Sequence, residues 1–393
     1  MIAGLTILLM ALVAAVLHPF TTYPLTLALV RVWNGTIAIR PSDPPPSRFA
    51  IVCCAFDEFA VIGKKVANSL AISRLVGNCD VLFYSDASTD GTSEFLTSCP
   101  APVVSVIGNS QVGKTAGMNR LLSMTDAEIV IFTDANVMIE PSSVLNLKRY
   151  FQDPNVGMVT GTLHFLNGDA STTAEVSSAY RSFEEMIKRL ETDTGSVVYT
   201  DGTMFAMRRS LFTLVPANLT DDLFTAIMVL LQGKRNVAAR DFVAYEQAAT
   251  ARKDELRRRI RIGCHVFNCH LLLWPRVRQL DGLTLYKYVS HKLVRWFAGY
   301  FIAAAALCLI LAVALYADAL IAAALAAAFL VMGAASLLFR IPVVSSVCEG
   351  LLVTFAVAYG VSLAIRGEQF RTWVVASSSR GWQDAPPPSK TLH

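Results

Sequence analysis

Charge is what this chain has little of: 16% of its 393 residues are Asp, Glu, Lys or Arg, against about 25% in an ordinary soluble domain. That shortage speaks against a protein that lives wholly in water. Neither sign dominates, since 34 basic and 30 acidic side chains leave a formal charge of +4. So mild a balance excludes nucleic-acid binding by bulk electrostatics, and no nucleic-acid partner is expected. A disulfide framework is missing as well. Cys53, Cys54, Cys79, Cys99, Cys264, Cys269, Cys308 and Cys348 fall at no regular spacing, a usage that fits reduced thiols in a cytosol-facing domain. No basic stretch precedes the first apolar run, so a cleavable signal peptide is not expected.

Apolar residues make up 54% of the chain and gather at its two ends. Ile2 to Val32 carries one charge, Arg31, and is interrupted by Pro19 and Pro24; it reads as a kinked membrane anchor. Trp296–Tyr316 and Ala319–Phe339 are uncharged, joined by a turn at Ala317-Asp318, and each is long enough to cross a ~30 Å hydrocarbon layer. Ile341–Ile365 is a third candidate, weakened by Pro342, Glu349 and Gly360. From about Pro41 to Arg295 nothing is long enough to span. Arg31, Arg40 and Arg48 precede that middle portion, and Lys287, Lys292 and Arg295 close it. Basic flanks place it in the cytoplasm, within a multi-pass protein of the cell (inner) membrane. Three C-terminal crossings would leave the basic tail (Arg366, Arg371, Arg380, Lys390) outside, against the same rule. The expected organisation is an anchor at 1–33, a soluble domain at 41–261, amphipathic interfacial helices at 262–295, transmembrane helices at 296–366 and a tail at 367–393.

Within the middle portion, apolar runs alternate with helical patterns. Arg48–Ala55, Asp80–Tyr84, Pro102–Ile107 and Glu128–Thr133 read as strands, so an α/β domain with a mostly parallel sheet is expected. Ligands of such sheets sit beyond the carboxyl ends of the strands. Asp57, Asp86 and Asp134 stand at those ends. Each alone is an ordinary cap or turn residue; together they repel unless a cation or ligand donors hold them.

Gly108-Asn109-Ser110-Gln111-Val112-Gly113-Lys114-Thr115 satisfies the phosphate-loop pattern GxxxxGK[ST] between a strand and a helix. Asp134 would then be the partner that binds magnesium, and the protein a nucleoside triphosphatase acting through Lys114. Two preceding strand–helix units with acidic ends, which such an enzyme does not need, weigh against that reading.

These residues together resemble the family-two glycosyltransferases of GT-A fold, in particular their membrane-anchored polysaccharide synthases, over about Arg48 to Gly263. Cys54-Ala55-Phe56-Asp57-Glu58 stands where the family has Pro-Ala-Tyr-Asn-Glu, and Ser85 to Thr92 is close to its "DgStDgT". Gly113-Lys114 through Asn119 is similar to its "GKaxAlN", Asp134-Ala135-Asn136 to its DxD, and Thr220-Asp221-Asp222 to its Thr-Glu-Asp. Three departures stand out. Asn136 replaces the second Asp of DxD, Asp57 replaces Asn, and Arg258 to Ile262 keeps only Arg261 of the Gln-x-x-Arg-Trp motif of processive members.

The resemblance implies a Rossmann-like GT-A domain and inverting, metal-dependent transfer of a sugar from a nucleotide sugar, with UDP expected, to a growing polysaccharide. Single transfer to a membrane lipid is the alternative, made credible by the missing Trp, and a scaffold that only binds is a further one. Mg²⁺ or Mn²⁺ would sit on Asp134 and Asn136, hard oxygen donors suited to either ion. Phe56, Asp57, Glu58, Asp86, Lys114, Asp134, Arg258 and Arg261 would bind the donor. Asp201, Gly202 and Asp221 would face the acceptor, and Asp222 would be the general base, its proton affinity raised by Asp221. Partners are the donor, a glycan or lipid acceptor, membrane lipids and other polysaccharide-export components. On helical spacing Arg258 and Arg261 share a face toward diphosphate, while Arg257 and Arg259 turn to lipid headgroups. Cys264-His265 and Cys269-His270 are read as part of an interfacial helix.

Overall fold

The computed structural model describes residues 2–316, 319–339 and 342–370. The turn expected at Ala317-Asp318 and the tail from 371 onward lie outside the described residues. The chain forms two compact units, one built on Ala38–Ala170 and Tyr199–Thr250, the other on Met1–Ile37, Ser171–Val198 and Ala251–Phe370.

The first unit is a mixed sheet of eight strands in the order β3-β2-β1-β4-β7-β6-β8-β5. They are β1 (Phe49–Ala55), β2 (Cys79–Ser85), β3 (Val103–Ile107), β4 (Ile129–Asp134), β5 (Met138–Ile139), β6 (Val156–Phe165), β7 (Met204–Arg208) and β8 (Arg235–Glu246). β1 to β4 are the expected strands, all parallel, with helices Phe59–Val76, Thr92–Ser98 and Lys114–Leu122 between them. Beyond β4 the sheet departs from the parallel expectation: β7 runs antiparallel to β4 and to β6, and β5 antiparallel to β8.

β1 is buried at every position, as its unbroken apolar run requires of a strand covered on both faces. Successive side chains point to opposite faces, so Phe49 and Ile51 join the core with Ile129 and Ile131. Ala50, Val52 and Cys54 join the opposite core with Val130 and Phe132. All eight cysteines are free. The chain proceeds from β1 outward to β2 and β3, then returns to lay β4 on the other side of β1. That reversal opens a crevice at the carboxyl ends of β1 and β4, where such sheets bind ligands.

The second unit is helical. Ile2–Leu17 and Thr22–Asn34 are separated by a short 3₁₀ turn at His18–Phe20 containing Pro19, the kink expected of the anchor. Among the described residues three helices can cross a membrane by length and composition: Ala3–Phe20, Ala298–Tyr316 and Val344–Ile365. Ala319–Phe339 is helical too and contributes a shorter apolar stretch, Leu320–Ala335. Helix Thr172–Asp193, whose sequence is polar enough to pass for part of the sheet domain, groups here instead. Phe183, Ile187 and Leu190 repeat at helical spacing and pack with Tyr23 and Leu27 of the anchor. The boundary expected at 261 falls inside one unbroken helix, Arg252–Val277.

That helix and Pro342–Ile365 run side by side in the same direction. Arg252 pairs with Glu349 near their starts, and Asn268 donates to the Glu368 carbonyl at 2.9 Å beyond the second helix's end. Between these points the backbones touch. A Cβ at Gly360 would collide with the Ile260 carbonyl, and one at Gly263 with Val357. Gly360→Ala is therefore expected to lower the unfolding temperature in detergent, by a loss of about 1–3 kcal/mol for overpacking. Gly350→Ala on the same helix meets nothing and is expected to leave it unchanged or slightly raised.

Candidate functional site

The site grows from the antiparallel pairing of β4 with β7. Thr133 faces Met204 in that register, so the segment that enters β7, Asp201 to Thr203, lies beside the exit of β4. The Asp134 amide donates to the Thr203 carbonyl at 3.0 Å. Lys114, the first residue of its helix, reaches across to this point. Its ammonium lies 2.8 Å from Asp134 Oδ1 and 3.0 Å from Asp221 Oδ2, and it donates to the Gly202 carbonyl at 3.0 Å. Burial alone would favour the neutral amine, but the two carboxylates prevail and hold the lysine charged, its pKa well above the ordinary value.

Asp221 and Asp222 open helix Asp221–Leu231. Asp222 Oδ1 accepts from the Thr220 hydroxyl at 2.5 Å and from the Leu223 amide at 2.6 Å. A Cβ built on Gly202 would stand 3.2 Å from Asp222 Oδ2, a close approach that sets the two side by side. Burial, and after it the neighbouring charge of Asp221, push the Asp222 carboxyl up to about 6. Lys114, Asp134, Asp201, Gly202, Asp221 and Asp222 thus come together at one end of the sheet, as the sequence predicts.

At the ends of β1 and β2 two turns clasp each other. The Asp57 carboxylate accepts from the Thr89 amide at 2.8 Å, and the Asp57 amide donates to Ser88 Oγ at 3.1 Å. Asp90 accepts from the amides of Phe59 (2.9 Å) and Thr92 (3.0 Å). Asp57 and Ala87 adopt φ of 50° and 58°, a left-handed conformation that is uncommon outside glycine and is often stored at functional sites. Phe56 and Asp57 are partly exposed here, whereas Glu58 is buried.

Asp86 departs from the role expected of it. It is wholly buried, and its two oxygens accept from the Val112 and Gly113 amides at 2.9 Å each. A carboxylate so enclosed offers no atom to a donor nucleotide; it fixes the turn that launches Lys114. The same contacts dispose of the phosphate loop. Amides that would cradle a phosphate are taken by the protein's own carboxylate.

The acidic segment Asp134-Ala135-Asn136 is braced from two sides. Lys65, fully buried, donates to Thr133 Oγ1 at 2.8 Å and to the Val137 carbonyl at 2.6 Å; burial lowers its pKa to about 8. Asn136 Nδ2 donates to Glu246 Oε1 at 2.9 Å, because β5 pairs Met138 with Tyr245 of β8. Neither Lys65 nor Glu246 was signalled by a motif. Lys65 shares its charge with the adjacent Lys64, and Glu246 has no local signal at all. For a divalent cation the segment offers the part-exposed Asp134 carboxylate and the Asn136 amide oxygen, donors of the right hardness. Among the described residues no group of three or more His, Cys, Asp or Glu could hold a metal ion.

Arg258 and Arg261 stand on Arg252–Val277, in the helical unit. Arg258 approaches Glu255 at 3.9 Å. Arg259, expected to face lipid, turns inward instead: it pairs with Glu255 at 2.6 Å and covers the Tyr180 ring at 5.7 Å. The buried Glu255, four residues earlier, draws it in. Arg257 is exposed.

Known proteins match this architecture. A mannosyltransferase from Pyrobaculum calidifontis, solved with GDP-Man and Mn²⁺, aligns with a TM-score of 0.68 at 22% identity, over 90% of this chain and 98% of that one. Staphylococcus aureus TarS with UDP aligns at a TM-score of 0.45 and 14% identity, over 82% and 92%. A β-monoglucosyldiacylglycerol synthase from Nostoc is 25% identical over 183 residues, 44% of this chain and 39% of its own length. The chain thus spans about two-fifths of that curated relative. The profile described as "Glycosyltransferase like family 2" matches residues 45–264, more than half of the chain, and the protein belongs to that family.

Proposed function

We propose that this protein transfers a sugar from a nucleotide-sugar donor to a hydroxyl of an acceptor held at the membrane, inverting the anomeric centre. One observation carries the reading: Asp222, a carboxyl raised to about 6, stands beside Gly202 and Asp221, and Lys114 links Asp221 to Asp134. A base and a cation at one place are what a single displacement requires. The acceptor oxygen attacks the anomeric carbon as the bond to the diphosphate breaks, and Asp222 takes the hydroxyl proton. A base with a pKa near working pH is both ionised and strong enough to accept it. Negative charge develops on the leaving diphosphate, where Lys114 is already in place and needs no reorganisation.

Mg²⁺ or Mn²⁺ held by Asp134, Asn136 and the diphosphate would neutralise part of that charge. The likeness to a fold that holds GDP-Man with Mn²⁺ supports this. Phe56 and Asp57 line the nucleotide end, and Arg258 and Arg261 are assigned to the diphosphate on the resemblance of their motif. Ile262, where processive members have Trp, and the lipid-glycosylating name of the curated relative support a lipid acceptor over a growing polymer.

Screening nucleotide sugars against the purified protein, with free nucleoside diphosphate as readout, tests the reading. Asp222→Asn is expected to lower turnover by 10²-fold or more while donor affinity holds. In the wild type the rate should rise with pH through about 6. Asp221→Asn removes a like charge, so that acid limb should move to lower pH, though burial keeps it above an ordinary Asp. A limb that stays in place, or an Asp222→Asn enzyme with normal turnover, sinks the assignment.

The membrane arrangement is proposed on the same footing. Val344–Ile365 pairs Glu349 with Arg252 and meets Ile260 and Gly263 at Gly360 and Val357, in a stretch that also carries Arg257, Arg258, Arg259 and Arg261, and charges cannot enter hydrocarbon cheaply. That helix is therefore assigned to the interface, leaving the anchor, Ala298–Tyr316 and Ala319–Phe339 as crossings. The basic tail then returns to the cytoplasm with the catalytic domain, as the positive-inside rule asks. A C-terminal fluorescent-protein fusion should fluoresce in bacterial cells and a C-terminal alkaline phosphatase fusion should be inactive; an active phosphatase refutes the arrangement.

A further inference from the structure

We infer that Glu246 carries the negative charge that the acidic motif lost when Asn replaced its second Asp, and that it positions Asn136 for the donor's cation. The inference rests on the glycosyltransferase reading and deepens it for this chain.

Asn136 and Glu246 are each about 5% exposed, and Nδ2 of the first lies 2.9 Å from Oε1 of the second. Polarity fixes which way the amide points. A carboxylate only accepts, so the amide NH₂ must face it; reversed, two oxygens would oppose each other in a dry interior. The carboxamide oxygen of Asn136 therefore faces away from Glu246. A neutral amide oxygen is a weak ligand by itself. Donating to a carboxylate increases the electron density on that oxygen, as a carboxylate behind a metal-bound histidine does.

The same distance explains why Asp is absent at position 136. Two carboxylates 2.9 Å apart and buried cannot both ionise, and one would hold a proton. An Asp at position 136 would thus oppose Glu246, and the amide that can donate to it stands there instead. Backbone pairing brings the two together: β5 sets Met138 opposite Tyr245 of β8, and the Leu166 amide donates to the Glu246 main-chain carbonyl at 2.9 Å.

A charge exchange tests this. The probe is Mn²⁺ in the presence of UDP and, separately, of GDP, read by loss of the free-ion electron paramagnetic resonance signal, with unfolding temperature followed in parallel. Glu246→Gln keeps shape and hydrogen bond but removes charge; it should weaken Mn²⁺ binding about tenfold. Asn136→Asp alone should weaken it too. The double variant Asn136→Asp with Glu246→Gln restores one charge and a matched pair, and should return to within about threefold of wild type. Wild-type affinity in Glu246→Gln, or a double variant no better than that single one, overturns the inference. Should the wild type bind Mn²⁺ with a nucleotide yet release no nucleoside diphosphate from any nucleotide sugar, the transferase reading fails while the charge exchange still reports on the pair.

Discussion

The ammonium of Lys114 is what allows the rest of the site to exist. Asp134, Asp221 and Asp222 arrive from two different stretches of chain at one end of the sheet, and without a cation among them their charges would drive the turns apart. Lys114 touches Asp134 and Asp221 directly and leaves Asp222 to hydrogen bonds from Thr220 and Leu223. That division matters. Burial and the like charge of Asp221 beside it raise the proton affinity of that remaining carboxyl.

Much of this was legible in the sequence, and the boundary of legibility is physical. β1, β2 and β4 announce themselves as apolar runs ending in Asp, because both faces of the strand are covered. The convergence of Lys114, Asp134 and Asp222 was read from motifs. What could not be read depends on pairings distant in sequence. β7 runs antiparallel to β4, and no local pattern encodes strand direction. Glu246 reaches Asn136 through a two-residue strand, too short to leave a periodicity. Asp86 was placed correctly at a strand end, yet its surroundings turned it from a ligand-binding acid into a clamp on the Val112 and Gly113 amides. A residue's position in a motif is local information; whether its oxygens are spent is not.

The helical unit shows the same limit from the other side. Hydropathy and length qualify Val344–Ile365 as a crossing. Neither property records what the helix lies against. Its glycine meets the backbone of a helix carrying five arginines in its first ten residues, and Glu349 is buried against Arg252. Thr172–Asp193 presents the converse case. It buries Glu184 and Glu191 against His291, at 3.0 and 2.5 Å, so its polar sequence conceals an interior element.

Asp222 finally illustrates how competing fields set the proton affinity of a buried acid. The first turn of a helix favours negative charge, and Thr220, Leu223 and Lys114 all lower the proton affinity of this carboxyl. Were these the only influences, Asp222 would be a spent, weakly basic cap. Burial and the adjacent Asp221 act against them and win, leaving the group at about 6. A hydroxyl nucleophile gives up its proton only as the new bond forms, so the base must be ionised beforehand and still strong when the proton arrives. A value near 6 meets both demands, and it is reached by enclosing an acid at a helix start rather than by choosing a different residue.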